Sequence, residues 1–516
     1  MCGILMYCGA VPRKEGYVEF LEGEKVDTQS GVAEVDRVAP YIAARGPNYS
    51  SLRIGGDEKT CWFSSVLSLR QPFAKQSVLV ANGRYVLQFN GELYNSEIGA
   101  HSSDTQFVVD QLEACNGDVV SVLRSLSGEF AYTVTDTAQK QVYFGRDAVG
   151  KRSLSYCITA DTNELYVASV TGTMSLDYVN CMAGTVYMFD MESCVLDEST
   201  SLLDPRDYEV TPQEDPELVS LPQIIDALYG ALTESVRKRI TTIHPKHIEN
   251  SPIAVLFSGG LDCSVIVALI CQQLTRIAPN TAIELLNVGF ENPRTKMQPS
   301  DTPDRKLAQQ SYATLHNLFP ETSMSLVEVD VPYDQYLEHR PKVIDLMYPK
   351  NTEMDLSIAI AFYFAARGVG YITSAENPAE RKPYNRKGIV LFSGLGADEL
   401  YGGYHKLANK STPELVAELT RQISNIHDRN LNRDDKVIAA NGVEVRYPFL
   451  DEDVIRMSTT TIPITYKINK LVLRRMAGEK LGLGPIAEEP KRAIQFGSKS
   501  AKMTKDGNKN GTDVLK

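Results

Sequence analysis

No stretch of this sequence approaches the ~18 consecutive apolar residues that a membrane-spanning helix needs, and its first residues lack a basic n-region and an apolar h-region. Neither a span nor a secretory leader is therefore expected. CxxC pairs are also missing, and the nine cysteines are odd in number and scattered. That excludes a disulfide framework and fits reduced thiols, mostly buried as small hydrophobes, in a cytoplasmic protein. A basic excess is missing too. The 53 Lys and Arg face 65 Asp and Glu, and the net charge of −12 argues against nucleic acid or an anionic membrane as main partner. There is no internal repeat and no GxxxxGK[ST] phosphate loop. What is present is an ordinary globular composition, 43% hydrophobic and 23% charged, spread over 516 residues. That length accommodates two or more domains.

Up to about residue 200 the pattern is one of short β segments between turns, such as Tyr85–Phe89, Phe130–Val134, Gln141–Phe144, Leu165–Ser169 and Thr185–Phe189. Helical spacing recurs between Thr105 and Leu126, where Cys115-Asn116-Gly117 leaves either one interrupted helix or two shorter ones. Many strands and few helices point to stacked antiparallel sheets. Residues 204–222 are acidic, proline-rich and aperiodic, and read as a linker between a domain at 2–203 and another at 223–496. The second domain alternates helix and buried strand: Ile224–Ile240, Ile253–Phe257, Leu261–Ile277, Ile283–Val288, a helix around Ser357–Ala366, then Ile389–Phe392. Such alternation predicts an α/β parallel sheet with ligands at the carboxyl ends of the strands. Residues 497–516 hold almost no apolar content and read as a disordered tail.

Cys2 is the first candidate nucleophile. Removal of the initiator Met would leave its thiol beside its own α-amine, whose pKa of roughly 7.7–8.0 allows it to take the thiol proton near neutrality. Taken alone, a Cys after Met is weak evidence. The sharpest motif is Ser258-Gly259-Gly260-Leu261-Asp262-Cys263-Ser264, between the strand ending at Phe257 and a helix. Glycines let backbone N–H groups approach an anion, and the helix start adds its positive end. Asp262 sits where it could hold Mg²⁺ against phosphate oxygens. A second strand leads into Ser393-Gly394-Leu395-Gly396-Ala397-Asp398-Glu399. There Asp398 could provide a second carboxylate for Mg²⁺, and Ser393 and Gly394 could border a nucleotide.

The Ser258–Ser264 loop resembles the PP-loop of ATP pyrophosphatases. In order along the chain, Cys2, Arg45-Gly46-Pro47, Asn90-Gly91-Glu92-Leu93-Tyr94-Asn95, Ser103-Asp104, Gly145-Arg146-Asp147, the PP-loop and Gly442–Asp451 resemble the class II glutamine-dependent asparagine synthetases over nearly the whole chain. The resemblance implies an α+β N-terminal-nucleophile glutaminase domain of stacked antiparallel sheets, followed by an α/β PP-loop domain. By this similarity Asn90 and Gly91 form an oxyanion hole, and Glu92 and Asp104 hold the amino acid. Leu256 and Val288 contact adenosine, Lys470 stabilises adenylylation, and ATP with Mg²⁺ is used. The Gly442–Asp451 signature is assigned mainly to architecture. Small-molecule substrates are the expected partners, with homodimerisation left open.

Three departures are visible. The family's glutamine-clamping arginine is replaced by Val66, with Arg70 four residues on as a compensating cation. The glutamate of the family's SGEG is Leu395, and the Ser after SGGxD is Cys263. With the segments 301–305 and 430–435, these resemble the asparagine synthetase domain-containing branch. Three readings follow: an asparagine-forming ligase with an internal ammonia route, amidation of another carboxylate, or a scaffold that has kept the fold alone.

Overall fold

The computed structural model describes residues 2–99, 101–172, 176–203, 208–211, 220–373, 380–404, 407, 410–503 and 511–515. Most of the expected linker (204–207 and 212–219) and eight residues of the expected tail (504–510 and 516) lie outside the described residues. The expectation of a disordered tail from Gly497 needs correcting: Gly497 ends a short helix, and Ser498, Ser500 and Met503 are buried, with Ser500 Oγ donating to Ser357 O at 2.6 Å. Among the described residues no helix is long and apolar enough to cross a membrane. All nine cysteines are free thiols, six of them buried.

The chain divides into two compact units. The first comprises Met1–Asp204 with Lys342–Asn351 and His427–Glu444, and the second holds the remainder. In the first unit two antiparallel sheets stack. One centres on Cys2–Cys8, between Leu165–Ala168 and Thr60–Val66; the other centres on Gly128–Asp136, between Tyr85–Leu93 and Gln141–Arg146. Ile4, Met6 and Trp62 from the first sheet meet Val86, Ala131 and Phe144 from the second. The outer face of the second sheet packs on helices Asp104–Ala114 and Val119–Ser125, so the interrupted helical pattern resolves as two helices. Helix Ala33–Arg45 covers the first sheet. Strand Cys2–Cys8 is thus buried on both faces from Gly3 onward.

The second unit carries a mixed, mostly parallel sheet. Strand Ile253–Leu256 pairs in parallel with Ile283–Phe290 and with Val390–Phe392, and Ile283–Phe290 pairs in parallel with Met324–Val331. The expectation of a parallel sheet needs correcting at one edge. Val369–Thr373 runs antiparallel to Met324–Val331, and Arg381–Asn385 antiparallel to Val369–Thr373. The cause is topological. A single crossover helix returns the chain for a parallel strand, whereas two helices, Tyr333–Met347 and Glu353–Arg367, precede Val369–Thr373 and bring it back reversed.

Candidate active site

In the first unit the β ladder places the candidate nucleophile. Cys2 pairs with Val66 across the first sheet, so Val66 occupies the rung opposite it and lines the cavity with an apolar side chain. Cys2, Val66, Arg70, Gly91, Glu92, Asp104 and Glu444 line one cavity. Cys2 N donates to Asn90 Oδ1 at 2.8 Å. The other end of that amide, Asn90 Nδ2, is buried and has no hydrogen-bond partner. A buried donor left unmatched costs about 1–3 kcal/mol, and here it belongs to the side chain already touching Cys2. Burial pushes the Cys2 thiol up, and the carboxylates of Asp104 and Glu444 add to the rise; the Leu67 backbone N–H opposes it. A nearby base is therefore needed to make the thiolate.

Arg70 reaches the cavity from its displaced position. Its Nε donates to Glu92 Oε1 at 2.5 Å, and its remaining donors meet Leu93 O at 2.8 Å and Ser102 O at 3.3 Å. Asp104 Oδ2 lies 3.9 Å from Arg70 Nε. Burial raises the Asp104 carboxyl, Arg70 pulls it back, and Glu444 pushes it further up. One guanidinium among three carboxylates makes a cavity suited to a zwitterion rich in positive charge at one end. Ser103 caps helix Asp104–Ala114, accepting from Gln106 N at 3.4 Å, which leaves Asp104 in the first turn. Glu444 was missed as a lining residue because its signature read as scaffold.

In the second unit the PP-loop sits between strand Ile253–Leu256 and helix Leu261–Ile277. Gly259 has φ +82°, and a Cβ there would stand 2.5 Å from the backbone N of Ala308, so only glycine fits. Gly394 is similarly close-packed, with a Cβ position 2.9 Å from Asp262 Cβ, which brings the Ser393–Gly394 turn against the loop. Leu256 and Val288 lie near the carboxyl ends of adjacent parallel strands. Cys263 Sγ bonds Gly260 O at 3.2 Å, and Ser264 Oγ lies 3.5 Å from Gly259 O. Both side chains stabilise the turn.

Lys470 Nζ lies 2.6 Å from Asp262 Oδ2 and 2.6 Å from Asp398 Oδ1. Lys491, which the sequence did not mark, also pairs with Asp398 and stacks over the Tyr404 ring at 4.0 Å. Burial works to lower Lys470, but the two carboxylates outweigh it and hold the ammonium above its ordinary range. Burial raises Asp262; for Asp398 the two lysines overcome burial and lower it. Among the described residues no three His, Cys, Asp or Glu groups gather to ligate a metal alone. Asp262 and Asp398 nonetheless fit Mg²⁺, which uses one or two carboxylates together with substrate phosphates: both already turn onto a single cationic point.

Comparison with known proteins finds two domains in this order. A glutamine amidotransferase domain model matches residues 65–175, and an asparagine synthase model matches residues 227–415 and 408–509. An asparagine synthetase domain-containing protein of Saccharomyces cerevisiae is 58% identical over 529 residues, covering 100% of this chain and 99% of its own. Asparagine synthetase domain-containing protein 1 of Gallus gallus is 28% identical over 91% of this chain and 94% of its own. The glutamine-hydrolysing asparagine synthetase of Rattus norvegicus is 25% identical over 80% of this chain and 72% of its own. With its amidotransferase and synthase domains in this order, the chain belongs to the asparagine synthase family, in the branch of the asparagine synthetase domain-containing proteins.

Proposed function

We propose that the chain is a glutamine-hydrolysing, ATP-dependent amide ligase whose first-choice acceptor is aspartate. Cys2 attacks the side-chain amide of glutamine, with its own α-amine as base once the initiator Met is removed. Asn90 Nδ2 and the Gly91 N–H donate to the developing oxyanion, where loss of one donor costs on the order of 10²–10³ in rate. Glu92 and Asp104 receive the α-ammonium group, Arg70 balances the α-carboxylate, and ammonia leaves as the tetrahedral adduct collapses to a thioester. Water then hydrolyses that thioester, releasing glutamate and restoring the Cys2 thiol. The observation that carries this reading is the amide of Asn90, bonded to Cys2 N through oxygen while its buried nitrogen donor has no partner.

In the second unit the loop Ser258–Ser264 cradles the phosphates of ATP, with Leu256 and Val288 beside adenosine and Ser393 and Gly394 at the border. Asp262 and Asp398 would hold Mg²⁺, which would shield phosphate charge. The acceptor carboxylate attacks the α-phosphorus, pyrophosphate departs beside Lys470, and ammonia displaces AMP from the acyl adenylate to leave an amide. Leu395 favours a second reading, with a different acceptor carboxylate. It is half-buried, its N–H points to Ser393 Oγ at 3.3 Å, and its side chain carries neither charge nor proton.

The test is a coupled assay on untagged protein with processed Cys2, following glutamate from glutamine and pyrophosphate from ATP with and without aspartate. Aspartate-dependent pyrophosphate and asparagine in the product support the aspartate ligase. Glutamate alone points to another acceptor. Silence in both halves overturns the ligase reading and leaves a scaffold.

A further inference from the structure

Cys2 is braced by residues drawn from far along the chain but packed in the same compact unit. Arg45 Nε donates to Cys2 O at 3.2 Å. The same guanidinium meets Asp435 Oδ2 at 2.8 Å and Ser153 Oγ at 3.3 Å. Asp435 Oδ2 also accepts from Ser153 N at 2.9 Å and from Ser153 Oγ at 2.6 Å. Behind it Arg152 lies 3.7 Å from Asp435 Oδ1, 3.2 Å from Glu129 and 3.9 Å from Glu444. The side chains of Arg45, Arg152, Glu129 and Asp435 are 0% exposed.

Burying ions is costly, and a well-packed apolar cluster would serve stability as well or better. What an ionic cluster adds is direction. A planar guanidinium fixed on one edge by a carboxylate presents its remaining N–H along a defined line. Here that line ends on the carbonyl of Cys2. The carbonyl, the strand rung opposite Val66 and the bond to Asn90 together set the direction of the Cys2 Cα–Cβ bond, and so of the thiol. Burial alone would raise the Asp435 carboxyl, but Arg45 and Arg152 overcome it, so the group stays ionised and the brace stays charged.

We propose that Asp435 is a positioning residue for the Cys2 nucleophile, acting through Arg45, so that the segment His427–Glu444 is a built-in part of the glutaminase centre. This rests on the reading of Cys2 as the nucleophile. It also means that the first 204 residues by themselves lack a part the centre requires.

The experiment uses the full chain and the glutamine-mimicking diazo ketone 6-diazo-5-oxo-norleucine, measuring the maximal alkylation rate of Cys2 and the half-saturating reagent concentration separately. For Asp435→Asn the maximal rate is expected to fall by about ten- to a hundredfold, the scale of a nucleophile displaced by a fraction of an ångström to one ångström. Half-saturation should stay near wild type, because Arg70, Glu92 and Asp104 are untouched. Asp435→Glu should restore part of the rate. If Asp435→Asn does not fold, Ser153→Ala serves instead; it removes one hydroxyl contact and should lower the rate by a smaller factor at unchanged half-saturation. A folded variant alkylating at the wild-type rate overturns the proposal, as does an equal loss in both constants, which would mark a collapsed pocket. Wild-type protein that does not react at all overturns the nucleophile reading, and this proposal with it.

Discussion

The cavity at Cys2 and the loop Ser258–Ser264 are assembled in opposite ways. The cavity draws Cys2, Arg70, Asn90, Asp104 and Glu444 from strands, turns and a helix start spread over most of the chain. The loop takes seven consecutive residues, Ser258–Ser264, and adds the Ser393–Gly394 turn, Asp398, Lys470 and Lys491 from elsewhere. A dispersed site must be held by long-range order, which explains the ladder rung Cys2↔Val66 and the buried ions behind it. A contiguous site is held by local backbone geometry, as at Gly259. Damage should therefore spread in the first case and stay confined in the second.

The largest expected effect separates the halves outright. Cys2→Ala should abolish glutamate release, a loss of about 10³-fold or more on the scale of removed nucleophiles. Pyrophosphate release with an ammonium salt as nitrogen source should survive; its loss would mean that the two centres cannot be treated apart. Next, Lys470→Met leaves Asp262 and Asp398 facing one another without the ammonium between them. Pyrophosphate formation should drop about 10²–10³-fold, with glutaminase turnover unchanged, as read by the two arms of the coupled assay.

Smaller effects concern stability. Gly259→Ala forces a Cβ to 2.5 Å from the Ala308 backbone at a positive φ. A destabilisation of about 1–3 kcal/mol is expected, measured as a lower denaturant midpoint, with little change in the rate of diazo-ketone labelling. The last prediction has the opposite sign. Lys467, three residues before Lys470, is buried, its Nζ has no hydrogen-bond partner, and burial pushes it down to about 7. Between that value and the ordinary lysine value of about 10.4, the unfolded chain binds more protons than the folded one. Stability should thus rise with pH across that window and be flat below it. Lys467→Met should remove that slope and stabilise the fold near pH 6 by about 1–3 kcal/mol. Equal slopes in both proteins would show that Lys467 finds a partner in solution.

How far the sequence could be read follows the same division. Local enrichment in β-branched and aromatic residues marked Tyr85–Phe89, Gln141–Phe144 and Thr185–Phe189, which lie within strands Tyr85–Leu93, Gln141–Arg146 and Thr185–Asp190, and the apolar run Leu261–Ile277 marked a helix. The motif around Gly259 was legible for the same reason: its chemistry is backbone chemistry within seven residues. The antiparallel edge was not legible. No residue of Val369–Thr373 is buried, so it lacks the apolar run that marks a buried strand. Glu444 escaped because the Gly442–Asp451 signature around it read as architecture, and Lys491 because nothing beside it in sequence differs from an ordinary charged surface; their partners come from distant chain. Arg70 was found as a charge, yet its engagement of Glu92 depends on a turn whose direction side-chain types do not encode.

The bond between Cys2 N and Asn90 Oδ1 has a timing consequence. A peptide N–H and a free ammonium both donate there, so the amide of Asn90 can be oriented the same way before and after the initiator Met is cut. The donor side of the amide would then be aimed while the chain is still immature. Maturation by an aminopeptidase would supply the base without having to rebuild the pocket. A blocked N-terminus would accordingly yield a protein that binds its amino acid and cannot turn it over.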